Sequence, residues 1–292
     1  MDSQYYIDSL HTKMHKTFKE AIDFLESHKL VWFCGGGTAI GAIRHHDFIP
    51  WDDDIDIYMP REDYNKLLSL KQEINDNTQM ELIDIEDNGY TQWFAKIVDK
   101  NSTTMEDFSI PRIYGVWVDV FPLDYSNKSI NDIKHDSEVF KKLFLDYQKS
   151  VIPIGIKGLA YDVLHLHFES IVNSIIGCFS NNRRLLLKNR FKSFVKSLYN
   201  KDGDCFVSYC EEGRILKKEW FKASEWTDFN SYKVRVPIGY DAYLRSVFGD
   251  YMSLPPIEER VTHHMLYVNL KERLSKQEVK VRINAGESFV GL

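Results

Sequence analysis

The sequence predicts an α+β fold: a small mixed β-sheet flanked by helices, followed by a mainly helical insertion. Three observations carry that expectation. In the first 125 residues, short apolar runs of strand length alternate with segments of helical period. Between 130 and 199 the period is helical. Glycine and proline punctuate the changeovers. The chain has 292 residues, 43% hydrophobic and 27% charged, a composition that supports a substantial core rather than disorder.

Along residues 5–28, Ile7, Leu10, Met14, Phe18, Ile22 and Leu25 recur at spacings of three or four, the stripe of a helix packed on a core. Residues 31–34 form a short buried strand that Gly35-Gly36-Gly37 stops, and Thr38 is placed to N-cap the next helix, with Ile40 and Ile43 on one face. Residues 48–51 turn around Pro50. Over 54–59, Ile55 and Ile57 alternate with Asp54, Asp56 and Tyr58, which is strand periodicity. A helix is expected over about 62–70, then strands over 80–85, 94–98 and 116–121.

Ile133, Val139, Phe140, Phe144 and Tyr147 mark one later helix, and Leu185, Leu187, Phe191, Phe194 and Leu198 another. Residues 201–236 read as irregular or β-rich, residues 240–248 as a short helix ended by Gly249, and the charged stretch 271–292 as a tail that frays. The resulting organisation is a catalytic core over 1–125, a mainly helical insertion or second lobe over 126–236, a segment over 237–270 returning to the core, and the tail.

The net charge of −6 argues against a nucleic-acid polymer as partner, since such binding relies on lysine and arginine neutralising phosphates. Cys34, Cys178, Cys205 and Cys210 form no CxxC pair and read as reduced thiols. The first thirty residues lack the apolar core of a signal peptide, so a cytoplasmic location is expected. The apolar stretch 152–179 carries too many polar groups to span a bilayer. It reads as a buried amphipathic helix, with peripheral association at the inner membrane face as the other reading.

The chemistry concentrates at Asp52-Asp53-Asp54-Ile55-Asp56. Carboxylates this close raise one another's pKa unless something positive neutralises them, and hard oxygen donors suit Mg²⁺ or Mn²⁺. Alternation places Asp52, Asp54 and Asp56 on one face, where they can share one or two ions, and turns Asp53 away. The other reading of such a run is a solvated acidic turn, but Trp51, Ile55 and Ile57 anchor this one in a core. Upstream, the glycine turn leaves backbone N–H groups and a helix start for a phosphate, with Gly36, Gly37 and Thr38 as the contacts. Asp119, interrupting the apolar run 116–121, is either a third metal carboxylate or a capped strand end.

The residues Gly35-Gly36-Gly37-Thr38, Gly41-Ala42-Ile43-Arg44-His45, Phe48-Ile49-Pro50-Trp51-Asp52-Asp53-Asp54-Ile55-Asp56-Ile57 and Met59-Pro60-Arg61-Glu62-Asp63-Tyr64 together closely resemble the LicD family. Val118-Asp119-Val120-Phe121-Pro122-Leu123-Asp124 and a segment from Tyr243 to His264 add to the likeness. The resemblance implies a nucleotidyltransferase-like core, related to fukutin-type enzymes. It also implies transfer of a phosphorylated alcohol, phosphocholine or a polyol phosphate, from a CDP-linked donor to a cell-surface glycan such as lipopolysaccharide or teichoic acid, or to a lipid-linked precursor. Carried over by position, Asp54 and Asp56 are metal ligands with Asp52 adjacent, Asp119 is the third acid, and Gly36 and Gly37 are the glycine pair.

Arg44 and Lys96 are read either as stabilisers of pyrophosphate charge or as partners of an aspartate. Asp119 is the candidate to deprotonate the acceptor hydroxyl. His264 either reaches the leaving phosphate or is a packed, hydrogen-bonded histidine. Trp93, Tyr114, Trp117 and Tyr125 either enclose a quaternary ammonium or pack in the core. Two other functions remain beside phosphotransfer: nucleotidyl transfer from an NTP with pyrophosphate release, and a non-catalytic binding module of the same fold.

Overall fold

The computed structural model describes residues 3–107, 112–152, 181–200, 202–209, 214–262 and 265–291. Helix α1 (Ser3–Ser27) buries its whole apolar stripe, with Leu10, Phe18 and Leu25 fully shielded from solvent. It covers one face of a mixed sheet. The chain then forms β1 (Phe33–Cys34), the short α2 (Gly36–Ile40) continued by a π-helical turn over Gly41–His45, and β2 (Asp56–Pro60). The turn around Pro50 closes through the Asp52 N–H donating to the Ile49 carbonyl at 2.9 Å. Helices α3 (Arg61–Ser69) and α4 (Lys71–Asn77) lead to β3 (Met80–Ile83), β4 (Ala95–Asp99), β5 (Thr103–Met105) and β6 (Trp117–Ser126).

The sheet order is β1-β2-β6-β4-β3, with β2 and β6 parallel and the other neighbours antiparallel. A parallel pair needs a long connection, here supplied by everything between 61 and 116. Along β6, Val118 and Val120 point into the main core while Asp119 and Phe121 point the other way, the alternation a strand imposes. The mixed α/β architecture agrees with the sequence reading. Two strands, β3 and β6, end well away from the expected position. β3 stops at Ile83 because the Asp84 N–H donates to the Asp87 carboxylate (2.8 Å) instead of to the ladder. β6 runs on through Pro122, where the missing N–H suggested an end, because its second half gains a new neighbour.

That neighbour comes from the region read as an insertion. Helices α5 (Ile130–Val151) and α6 (Asn181–Leu198) pack on each other, Phe140 against Phe191 at 5.1 Å. Strands β7 (Cys205–Ser208) and β8 (Arg214–Lys217) follow, and β7 pairs with β6 from Asp124 to Ser126, extending the same sheet. Asp124 is therefore a strand residue, and it accepts two bonds of 2.7 Å from Arg61. A hairpin of β9 (Ser224–Phe229) and β10 (Tyr232–Pro237) completes the β-rich stretch.

Helix α7 (Tyr240–Phe248) ends at Gly249 with φ of +65°, as its position required. The segment expected to fray instead folds. β11 (Tyr267–Asn269) pairs with β5, α8 (Lys276–Asn284) starts in a capping box between Ser275 and Glu278, and β12 (Phe289–Val290) pairs with β11. Its charges lie on the exposed face while Leu274 and Val279 are buried beside Met105 and Tyr267. Cys34 and Cys205 are free thiols. Cys178, Cys210 and the apolar stretch from residue 153 to its end at 179 lie outside the described residues. Among those described, no helix is long and apolar enough to cross a membrane.

Candidate active site

The acidic run is held from three sides. Of the four aspartates only Asp56 belongs to β2; residues 52–55 reach it without regular secondary structure from the Pro50 turn, so the alternation of Asp52, Asp54 and Asp56 does not come from one strand. The three nevertheless line one cavity of about 400 Å³ together with Gly36, Gly37 and Tyr58. Asp53 points away and is buried near Tyr6 on α1, whose hydroxyl pKa is raised by burial and then by the Asp53 charge. From α1, His11 Nε2 sits 2.7 Å from the Asp52 carbonyl oxygen.

The glycine turn is pressed against these carboxylates. Gly36 has φ of +47°, and a Cβ there would lie 2.9 Å from Asp56 Oδ2; a Cβ on Gly37 would lie 2.6 Å from Asp52 Oδ2. Glycine is required by conformation at the first position and by space at both. Two of the turn's backbone donors are already engaged: the Gly35 N–H donates to the Asp56 carbonyl (2.9 Å) and the Gly36 N–H to the Tyr243 hydroxyl (3.0 Å). Gly37 remains on the cavity wall.

Thr38 does not N-cap the helix. Gly35 holds that position, and Thr38, inside α2, accepts the Asp56 N–H through Oγ1 at 2.8 Å. Its hydroxyl thus pins the first residue of β2 to the glycine helix.

Asp56 and Asp119 are paired in register across β2 and β6, and Asp119 with Lys96 across β6 and β4. Lys96 Nζ donates to Asp119 Oδ1 at 2.5 Å, and the Trp117 indole N–H donates to Oδ2 at 3.0 Å. Burial raises the Asp119 pKa to about 6 against the lowering pull of Lys96. Asp56 is raised well above the usual carboxylate range, by burial first and then by Asp54, Asp119 and Asp52. Lys96 is 4% exposed and its ammonium lies 4.2 Å from the Trp117 ring centre, 5.4 Å from Phe94 and 5.8 Å from Tyr114.

The donor set suits a hard cation: it offers carboxylate oxygens only, and the Asp56 carboxyl is raised by burial first and then by its acidic neighbours. Among the described residues no three His, Cys, Asp or Glu side chains are already arranged to enclose an ion, and Asp119 is held by Lys96. Asp52, Asp54 and Asp56 share the cavity.

Arg44 does not line the cavity. It donates through Nη1 to the Tyr251 carbonyl (2.6 Å) and the Ser253 carbonyl (3.2 Å), bracing the turn after α7. His264 lies outside the described residues. The aromatic residues do not gather into one cage: Tyr114 and Trp117 surround Lys96, Tyr125 packs on Phe206 at 4.4 Å, and Trp93 lines a different cavity.

The sequence reading missed Phe121, Ser208 and Phe248, which complete the wall. Phe121 follows from strand alternation with Asp119. Ser208 and Phe248 arrive from β7 and α7, and nothing local announces them. Tyr243 explains why the C-terminal segment belongs here, since its hydroxyl meets the glycine turn.

Residues 29–153 match the family model described as LicD/FKTN/FKRP, nucleotidyltransferase domain. The chain is also similar to the lipopolysaccharide cholinephosphotransferase LicD of Haemophilus influenzae. The two are 26% identical over 258 residues, covering 82% of this chain and 89% of that protein.

Proposed function

As the chain is a member of the LicD family, we propose that it transfers a phosphorylated alcohol of the phosphocholine type from a CDP-linked donor to a cell-surface glycan or its precursor, such as lipopolysaccharide. The observation that carries this reading is the single cavity shared by Asp52, Asp54, Asp56 and the glycines 36 and 37, with Asp119 beside Asp56 on the next strand. The named activity of the Haemophilus influenzae relative supports the choice of group.

Mg²⁺ or Mn²⁺ would be held by Asp54 and Asp56, with Asp52 adjacent and Asp119 behind, and would neutralise the donor's phosphates when bound. In the transfer, an acceptor hydroxyl oxygen forms a bond to the phosphorus bearing the alcohol. The bond from that phosphorus to the bridging oxygen breaks, and CMP leaves with the electron pair. The hydroxyl proton passes to a carboxylate of the cavity. Gly37 lets the donor approach the carboxylates, while Lys96, buried behind Asp119, supplies a fixed positive charge at one end of the row. The Thr38 and Tyr243 hydroxyls keep the glycine turn and β2 in register, so that the row is preorganised.

CDP-choline and CTP supplied separately with Mn²⁺ and a lipopolysaccharide acceptor test the reading. It requires acceptor-dependent CMP release from the first. Pyrophosphate release from CTP would replace it with nucleotidyl transfer, and turnover of neither would leave a binding module.

A further inference from the structure

A second and larger cavity, of about 540 Å³, opens between α3 and α6. It is joined to the acidic one through an aromatic contact: Phe121 lines the acidic cavity, and its ring centre lies 5.8 Å from that of Trp93, which lines the larger. We propose that this second cavity seats the neutral saccharide portion of the acceptor, next to the hydroxyl that is phosphorylated. The assignment of an acceptor rests on the function proposed above; the recognition of a sugar rests on the chemistry of the wall.

That wall combines an aromatic surface with hydrogen-bonding groups of both kinds. Trp93 is half-buried, and among the described residues its indole N–H makes no hydrogen bond. The side chains of Asn65, Asn189 and Ser193 also line the cavity and are likewise uncommitted within the described protein. Amides and a hydroxyl both donate and accept, which suits sugar hydroxyls that do the same, and an indole face suits the apolar face of a pyranose ring.

The charges argue against a nucleotide here. Of the lining cations, Arg61 is bound twice by Asp124 and Lys192 is paired with Glu86, which leaves Lys196 without a carboxylate partner among the described residues. Asp84 adds a carboxylate to the same wall. Two phosphates of a nucleoside diphosphate would face one uncommitted lysine and one anion, whereas a neutral sugar needs no net charge.

Ligand-observed saturation-transfer NMR with the full chain tests this, using the methyl glycosides of glucose, galactose, N-acetylglucosamine and N-acetylgalactosamine, and separately cytidine. At least one glycoside should receive saturation that Trp93→Ala removes. Because Trp93 also packs on Phe94 and Phe140, the double variant Asn65→Ala/Asn189→Ala, at two exposed positions, provides a second reading. It should weaken the same glycoside about tenfold and leave CDP-choline binding unchanged. The proposal is overturned if no glycoside depends on either set of residues, or if cytidine rather than a sugar loses its signal in them. Loss of CDP-choline turnover to CMP in the wild type would count against the proposed function, a separate readout from sugar binding.

Discussion

Asp56 and Asp119 face each other in register on two parallel strands, and Lys96 follows Asp119 on the next strand, so one cross-strand row carries two carboxylates and an ammonium on the same face of the sheet. Directly opposed like charges destabilise a sheet. The row therefore has a cost that Lys96 relieves at one end and that Asp54 and Asp52 aggravate at the other.

Asp54→Asn and Asp56→Asn should each lower turnover by about 100-fold or more with the circular dichroism spectrum unchanged. In the presence of EDTA, Asp56→Asn should melt above the wild type, because the amide removes a buried charge repelled by Asp54, Asp119 and Asp52. Residual activity in double-digit percentages, or a lower melting temperature in EDTA, would contradict the charge assignment.

Lys96→Met leaves Asp119 buried at 7% exposure without its cation, and breaking such a pair costs about 3–5 kcal/mol. Lys96→Met/Asp119→Asn should recover much of that stability and none of the activity. Urea titration of the single and double variants measures the coupling, and additive losses would show that the pair does not act as a unit.

Gly37→Ala should impair turnover by displacing Asp52, whose Oδ2 would be 2.6 Å from the new Cβ. Gly249→Ala is the informative contrast. It has a positive φ, but nothing lies within 4 Å of its Cβ, so the variant should lose only about 1 kcal/mol of stability with kcat intact. Equal kcat in wild type and Gly37→Ala would mean that the turn does not shape the site.

His15 stands between Phe48 and Tyr232 and pairs with Asp47 at 2.9 Å. Its pKa is lowered, chiefly by burial, with Asp47 pulling the other way. A histidine lowered on folding stabilises the fold above its unfolded value of 6.5 and loses that contribution as pH falls through its folded value. Melting temperature should therefore drop on acidification from pH 6.5, and His15→Gln should flatten the drop. His45, lowered by burial and by Arg44, leaves a remainder.

Much of the site was legible because its chemistry is local in sequence. Four aspartates in five residues and three successive glycines declare themselves, and Asp119 stands out by interrupting an apolar run. The N-terminal helix was equally plain, since its stripe is set by period alone. Thr38 was misread because a β-branched hydroxyl residue after glycines looks like a cap, whereas the helix already starts at Gly36 and the Thr38 hydroxyl accepts from the Asp56 N–H two elements away.

The sequence by itself determined the acidic run, its glycine partner, the mixed fold and the family likeness, because each depends on residue type and near-neighbour spacing. Only the tertiary structure decided that Lys96 belongs to Asp119, that Arg44 braces the turn after α7, that Tyr243 reaches the glycine turn, and that Ser208 and Phe248 close the cavity. Those pairings join residues up to 207 positions apart. They depend on which strands become neighbours in the sheet, and on how the helices pack against it, neither of which is set by local pattern.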